Sequence, residues 1–144
     1  MANLKTFQLF LCGRTFDVDA FLAATGLHCD RVFRRGEKYG YRRDWTQESS
    51  GFNLYLGDES KLDLEQQVEL ALRFLNENRE ALSRVSTWPG LESATLAFSP
   101  EVEVETSMVS TKVYRFPVSL VRSCAALGLE LGFAVRLKWP DELQ

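Results

Sequence analysis

Positive charge is concentrated in one short window of the chain, residues 30–45, which reads DRVFRRGEKYGYRRDW. Residues 31–43 carry six basic side chains and one acidic one, a local charge of +5 in a chain whose net charge is −3. Arginine guanidinium groups bind carboxylates and phosphates through paired hydrogen bonds. One interpretation of the window is therefore an anion- or ligand-binding site formed by four arginines: Arg34, Arg35, Arg42 and Arg43.

Two other interpretations of the same window stay open. Its arginines could pair with acidic groups of the fold and hold a loop in place. Aromatic residues also alternate with the arginines, a mixture that is typical of protein interfaces and of nucleic-acid grooves. These residues are Phe33, Tyr39, Tyr41 and Trp45. The pI near 5.3 argues against general nucleic-acid binding, because contacts to phosphates dominate that affinity.

A second charged pattern is the acidic strip at residues 101–105. Glu101, Glu103 and Glu105 alternate with Val102 and Val104, so the three carboxylates lie on one face of a strand. Charge on an edge strand protects it from pairing with other chains. The same strip could contact a basic partner, because complementary charges raise the association rate and set specificity. The first interpretation is structural, and the second makes these glutamates candidate partner-binding residues.

The common catalytic motifs are absent from the sequence. It contains no glycine-rich phosphate loop, no His-Glu-x-x-His and no Cys-x-x-Cys motif. A zinc site needs about four nitrogen or sulfur ligands, whereas the single histidine and the three cysteines are scattered along the chain. His28 beside Cys29 suggests a thiol nucleophile, but neighbours in an extended segment point in opposite directions. We therefore expect no enzymatic activity, no metal and no cofactor.

Hydrophobic periodicity predicts the elements that position these groups. Strand-like alternation and helical spacing follow one another in the order β-α-β-β-α-β-β-α-β. The predicted helices cover residues 17–26, 62–85 and 117–128. The last strand alternates an apolar row with a polar or small one, which favours an antiparallel sheet with one buried face. The row predicted to lie in the core is Leu129, Leu131, Phe133, Val135 and Leu137.

Taken as a whole, the sequence predicts a single α+β domain, residues 1–144, with a mostly antiparallel sheet and about three helices packed on one face. No apolar run approaches the roughly 20 residues that span a bilayer. The opening MANLKTFQLFLCG reads as a first strand rather than a signal peptide. We therefore expect a cytoplasmic protein outside the membrane, with its three cysteines reduced.

Three segments, taken together, look like parts of one known family. The opening FQLFLCGRTFDVDAFLAATGL is followed by HCDRVFRRGEKYGYRRDW, in which a turn at residues 31–37 leads to a strand that bears Trp45. With the ending FPVSLVRSCAALGLELGFAVRL, these segments resemble the domain of unknown function 4279 family across most of the chain. The last strand departs from the family pattern, which often has acidic or serine residues there, because residues 133–135 read Phe-Ala-Val.

The resemblance implies a small bacterial cytoplasmic domain without an established enzymatic activity. Domains of this size and style resemble immunity proteins, which often present an acidic surface to a basic toxin. By that analogy the chain is a non-enzymatic protein-binding domain, an immunity protein that neutralises a toxin; the alternative is a small-ligand or anion-binding domain that uses residues 31–43. An arginine-rich turn that recurs across the family is expected to be scaffold, with Gly36 in a left-handed or tight turn and Arg31 or Arg34 paired with an acid at the edge of the core. The analogy names no individual partner and no oligomeric state.

Overall fold

A computed structural model describes residues 5–39, 42–104 and 111–140, without the side chains of residues 39 and 42–44. The described strands are Gln8–Gly13 (β1), Arg31–Phe33 (β2), Lys38–Tyr39 (β3), Arg42–Thr46 (β4), Ser50–Tyr55 (β5), Ser93–Phe98 (β6), Glu101–Glu103 (β7), Glu130–Phe133 (β8) and Arg136–Lys138 (β9). The described α-helices are Val18–Thr25 (α1), Leu64–Glu77 (α2), Arg79–Leu82 (α3) and Val118–Leu127 (α4). This combination of helices and sheet confirms the α+β class.

Five strands form the main sheet, in the order β2-β5-β1-β6-β8. The central strand β1 is antiparallel to both β5 and β6, and β2 is antiparallel to β5. Strand β8 instead runs parallel to β6, because the chain between them passes through α4 and returns in the same direction. The sheet is therefore mixed, with a parallel pairing that the alternation pattern did not predict.

The helix expected over residues 62–85 is divided. It begins with a capping box, in which the backbone N–H of Gln66 donates to Asp63 and the backbone N–H of Asp63 donates to the Gln66 side chain. It is interrupted at Asn78, whose side chain donates to the backbone oxygen of Phe74. The short helix α3 and a 3₁₀ turn at Val85–Thr87 follow. The described residues therefore contain four α-helices where about three were expected.

The described helices share one core with one face of the sheet. In β1, Leu9 and Leu11 are fully buried, whereas Phe10 and Cys12 on the opposite face are half-buried. Side chains from all four α-helices join the buried cluster: Phe21, Val68, Leu75, Leu82, Leu120 and Leu127. Because the helices contribute to this one core, the opposite face of the sheet stays partly open.

Burial along the last strand differs from the prediction. It is divided into β8 and β9 by residues 134–135, opposite a similar break at residues 99–100 between β6 and β7. Along its apolar row the exposed fraction rises from 6% at Leu129 to 42% at Phe133 and 58% at Leu137. The prediction that Phe133, Val135 and Leu137 lie in the core is therefore wrong. The row extends past the helices that cover its first residues.

A glycine in β5 lets two phenylalanines meet across the strand between them. The rings of Phe33 on β2 and Phe10 on β1 stack at 5.8 Å between centroids, at an angle of 17°. Gly51 on β5 pairs with Phe33 in the sheet register. A Cβ at this position would lie 2.7 Å from Cζ of Phe33 and 2.1 Å from the backbone oxygen of Leu11. Only glycine therefore leaves room for the Phe33 ring.

We expect Gly51→Ala to lower the free energy of unfolding by about 2 kcal/mol or more, since overpacking typically costs about 1–3 kcal/mol and this clash involves backbone. Urea denaturation followed by circular dichroism measures the change. Gly132→Ala is the matched control, because its nearest contact would be the flexible methyl of Thr95 at 3.0 Å. Equal losses in the two variants would contradict this account of Gly51.

Candidate functional site

The arginine-rich turn is held in place by its own ion pairs. Nε and Nη2 of Arg34 donate to the carboxylate of Asp19 on α1, at 2.9 and 2.7 Å. Nη1 of Arg34 also lies 3.6 Å from Glu37. Gly36 has a φ of +89°, and its N–H donates to the backbone oxygen of Gln47. The predicted tight turn at Gly36 and the pairing of Arg34 with an acid are confirmed, but Asp19 is 62% exposed and so does not lie at the edge of the core.

Of the other three candidate arginines, only Arg35 has a described side chain. Arg35 is exposed, and its backbone N–H donates to Oγ of Ser50. Arg42 and Arg43 lie in β4, but their side chains fall outside the description. Since Arg34 is committed to Asp19, the proposed four-arginine site stays a prediction with one of its cations already neutralised.

The ion pair between Asp19 and Arg34 makes the stability of the protein depend on pH. The hydrogen bond from Arg34 and the positive charge of Arg34 lower the pKa of Asp19 below the ordinary 3.8. A carboxyl whose folded pKa is lowered adds stability above its unfolded pKa and loses that contribution as the pH falls through the folded value. We therefore expect Asp19→Asn to be less stable than wild type at pH 7, with a difference that shrinks below pH 3.8.

Urea unfolding at a series of pH values between neutral and strongly acidic tests this. Glu69→Gln is the control, because Glu69 is an exposed carboxylate on α2 without an ion-pair partner in the described ranges. A stability difference for Asp19→Asn that stays constant across the acidic range would show that the Arg34 pair makes no pH-dependent contribution.

The acidic strip is matched by a basic one. Strand β7 runs parallel to β9, with Glu101 opposite Arg136 and Glu103 opposite Lys138. Nη1 of Arg136 lies 3.3 Å from Oε2 of Glu101. Glu105 lies outside the described residues. The four charged side chains of this two-stranded ribbon, β7 and β9, thus sum to zero charge. Glu101 already has a partner within the protein.

Arg136 also belongs to a polar network that the sequence analysis missed. Its Nε donates to Oγ of Ser99 at 3.0 Å, and its Nη2 donates to the backbone oxygen of Glu59 at 2.5 Å. The fully buried amide of Gln67 accepts from the Ser99 N–H at 2.8 Å and donates to the Ser99 oxygen at 2.9 Å. Helical spacing could have indicated that Gln67 is buried, because Gln67 lies four residues before the buried Ala71 and so on the same face of the helix.

We expect Arg136→Met to lower the free energy of unfolding by at least about 1.5 kcal/mol, since hydrogen bonds to charged groups contribute about 1.5–3 kcal/mol. Lys138→Met, two residues along the same strand and exposed, should stay within about 0.5 kcal/mol of wild type. Chemical denaturation of the three proteins makes the comparison. Indistinguishable midpoints would mean that the network adds no net stability.

The three cysteines are in environments that disfavour the thiolate. Burial, with the charge of Glu92, raises the pKa of Cys12. Burial, with the charge of Asp30, raises the pKa of Cys29, the neighbour of His28. Burial raises the pKa of Cys124 to about 11. Because the thiolate is the nucleophile, each shift is opposite to that of an activated catalytic cysteine.

A different surface is unusual for its apolar exposure. Of the eight large hydrophobic side chains that are exposed in the described residues, seven lie between positions 113 and 139. We call these seven the C-terminal apolar surface: Val113, Val118, Val121, Phe133, Val135, Leu137 and Trp139. The ring of Phe133 packs on those of Tyr114 and Phe116, at 5.2 and 5.9 Å. Through these rings the end of the last strand joins the segment before α4.

The segment before α4 also borders a groove. Val113, Phe116 and Val118 line it together with the start of α2, around a volume of about 830 Å³. The hydroxyl of Tyr114 at this groove is buried and has no hydrogen-bond partner in the described ranges.

Comparisons of the chain with protein-family models, with curated proteins and with solved structures found no match. The resemblance to the domain of unknown function 4279 family therefore stays a prediction. In the described residues, none of the helices is long and apolar enough to cross a membrane. The described residues also contain no group of three or more histidine, cysteine or acidic side chains placed to hold a metal.

Proposed function

We propose that this chain is a non-enzymatic protein-binding domain that contacts its partner through the C-terminal apolar surface. The observation that carries the proposal is the exposed apolar row of the last strand, in which Phe133, Val135 and Leu137 are 42%, 43% and 58% exposed. Exposed apolar patches that exceed those of ordinary monomers mark interaction sites. An alternating strand that buries its first apolar residues and exposes the next ones has a surface suited to a partner.

A protein fits this surface better than a small molecule does. The exposed residues are spread over the segment before α4, α4 itself and the last strand, so no single cavity gathers them. Interfaces between proteins have an apolar and aromatic centre with a charged rim. Here Phe133 and Leu137 would supply the centre, and the charged ribbon of β7 and β9 would supply the rim.

The charge of the whole chain favours a basic partner. Its net charge is −3, and the exposed face of α2 carries three acids, Glu65, Glu69 and Glu77, which Glu80 on α3 follows. Such a field accelerates the approach of a positively charged protein without adding much affinity. A basic toxin neutralised by an immunity protein is the partner class implied by the resemblance. In this proposal the apolar surface supplies the affinity, and the acids, Glu103 among them, supply the steering.

We expect Leu137→Glu to abolish capture of the partner from the native cell extract, because loss of a central interface residue commonly costs about 2 kcal/mol or more. Once the captured partner has been identified and purified, its dissociation constant should rise at least about tenfold, which corresponds to 1.4 kcal/mol. Trp45→Ser is the matched control, since Trp45 is the one exposed large hydrophobic in the described residues outside positions 113–139. Capture that survives Leu137→Glu but fails with Trp45→Ser would move the interface away from the C-terminal apolar surface.

Charge reversal tests the steering role separately. Glu103→Lys should slow association and reduce its dependence on salt, while dissociation changes little. Reversal of Glu101, Glu103 and Glu105 together is less informative, because Glu101 is paired with Arg136 in the network around Ser99. An association rate that is unaffected by Glu103→Lys at low salt would show that Glu103 has no part in steering the partner.

A further inference from the structure

A second groove lies on the open face of the sheet, away from the C-terminal apolar surface. Side chains of β1, β2 and β5 form its floor, and residues 45–49, which lead from β4 into β5, form its wall. Its volume is about 830 Å³. The two surfaces are separated across the sheet, because β2 and β8 are its opposite edge strands. This groove lies beyond the proposed protein interface.

The floor of this groove is an apolar, aromatic platform. Phe10 and Phe33 stack over Gly51 and stay half-buried on a face that no described helix core covers. The open face of an antiparallel sheet ordinarily carries polar side chains. Trp45, which is 56% exposed, stands in the adjoining wall. Flat aromatic groups pack favourably on such rings in offset or edge-to-face geometry.

One cation stands beside this platform. Arg31 and Phe33 are two residues apart on β2, so their side chains project from the same face of the strand. The sheet register places Arg31 opposite Asn53, and Asn53 opposite Phe10. In the described part of the chain the exposed side chain of Arg31 has no hydrogen-bond or ion-pair partner, unlike that of Arg34. The Asn53 amide donates to Gln8 at 2.7 Å, which holds it in place beside Arg31.

We propose that this groove binds a planar aromatic monocarboxylate, with the ring on Phe10 and Phe33 and the carboxylate on Arg31. A guanidinium group matches a carboxylate with two parallel hydrogen bonds. A ligand of higher negative charge fits less well, because the described side chains that line the groove include one cation, Arg31, and one anion, Glu48. A neutral ring would use the platform and leave the guanidinium group unpaired.

The first experiment titrates the protein with 2-naphthoate by isothermal calorimetry, with ¹H–¹⁵N spectra to locate the site. We expect one molecule to bind per chain, with shifts at Arg31, Phe33 and Asn53 and at the indole N–H of Trp45. The dissociation constant should be at least about tenfold lower than that of 2-naphthamide, the neutral analogue with the same ring, which corresponds to 1.4 kcal/mol. Inorganic phosphate, which has charge without a ring, should bind more weakly than both. The absence of saturation by 2-naphthoate, or equal binding of the amide or of phosphate, overturns the proposal.

Variants test whether Arg31 binds the carboxylate of the ligand. Arg31→Gln should weaken 2-naphthoate at least about tenfold and bring it to the affinity of the amide, since charge-assisted hydrogen bonds are roughly twice as strong as neutral ones. Arg35→Gln is the matched control, because Arg35 is also exposed and lies outside the groove lining. Undiminished binding by Arg31→Gln, with a native spectrum, overturns the assignment. Leu137→Glu should bind 2-naphthoate like wild type, so failure of this site and failure of the protein interface are separate results.

Discussion

The whole arrangement depends on the one-sided burial of the central strand. β1 pairs along both edges, with β5 and with β6, and places Leu9 and Leu11 at zero exposure on one face. All four described α-helices add side chains to that same core. Because backbone hydrogen bonds occupy both edges of β1 and helices occupy one face, the other face is what remains for solvent or a ligand. The groove with Phe10 and Phe33 is a consequence of this division.

A second constraint acts where the strands leave the core. Ser99 lies in the break between β6 and β7, and its buried backbone groups form hydrogen bonds with the side chain of Gln67 on α2. Arg136 reaches the same residue from β9 and also bonds to Glu101. Buried polar groups are tolerated when they are paired, and here the pairing joins one helix to two strands. Glu101, one of the three acids predicted to contact a partner, takes part in this junction.

The two candidate surfaces arise from different physical causes. The C-terminal apolar surface exists because an alternating strand continues beyond the helices that bury its first residues. The groove exists because Gly51 removes a side chain between Phe33 and Phe10, so that two rings meet across a strand. Arg34 and Arg31 are three residues apart and differ in what surrounds them. Arg34 meets Asp19 on α1, whereas Arg31 lies on the open face of the sheet.

Local chemistry was enough to predict the α+β class, because periodicity is a property of short segments. The tight turn at Gly36 and the pairing of an arginine with an acid were expected from the family resemblance, and the structure has both. Three features were decided only by tertiary structure: the parallel pairing of β6 with β8, the exposure of Phe133 and Leu137, and the neutralisation of Glu101 by Arg136. Each depends on which distant segments become neighbours. An alternating strand has the same sequence pattern whether or not a helix covers its apolar row, and a glutamate has the same pattern whether it meets solvent or an arginine 35 residues away.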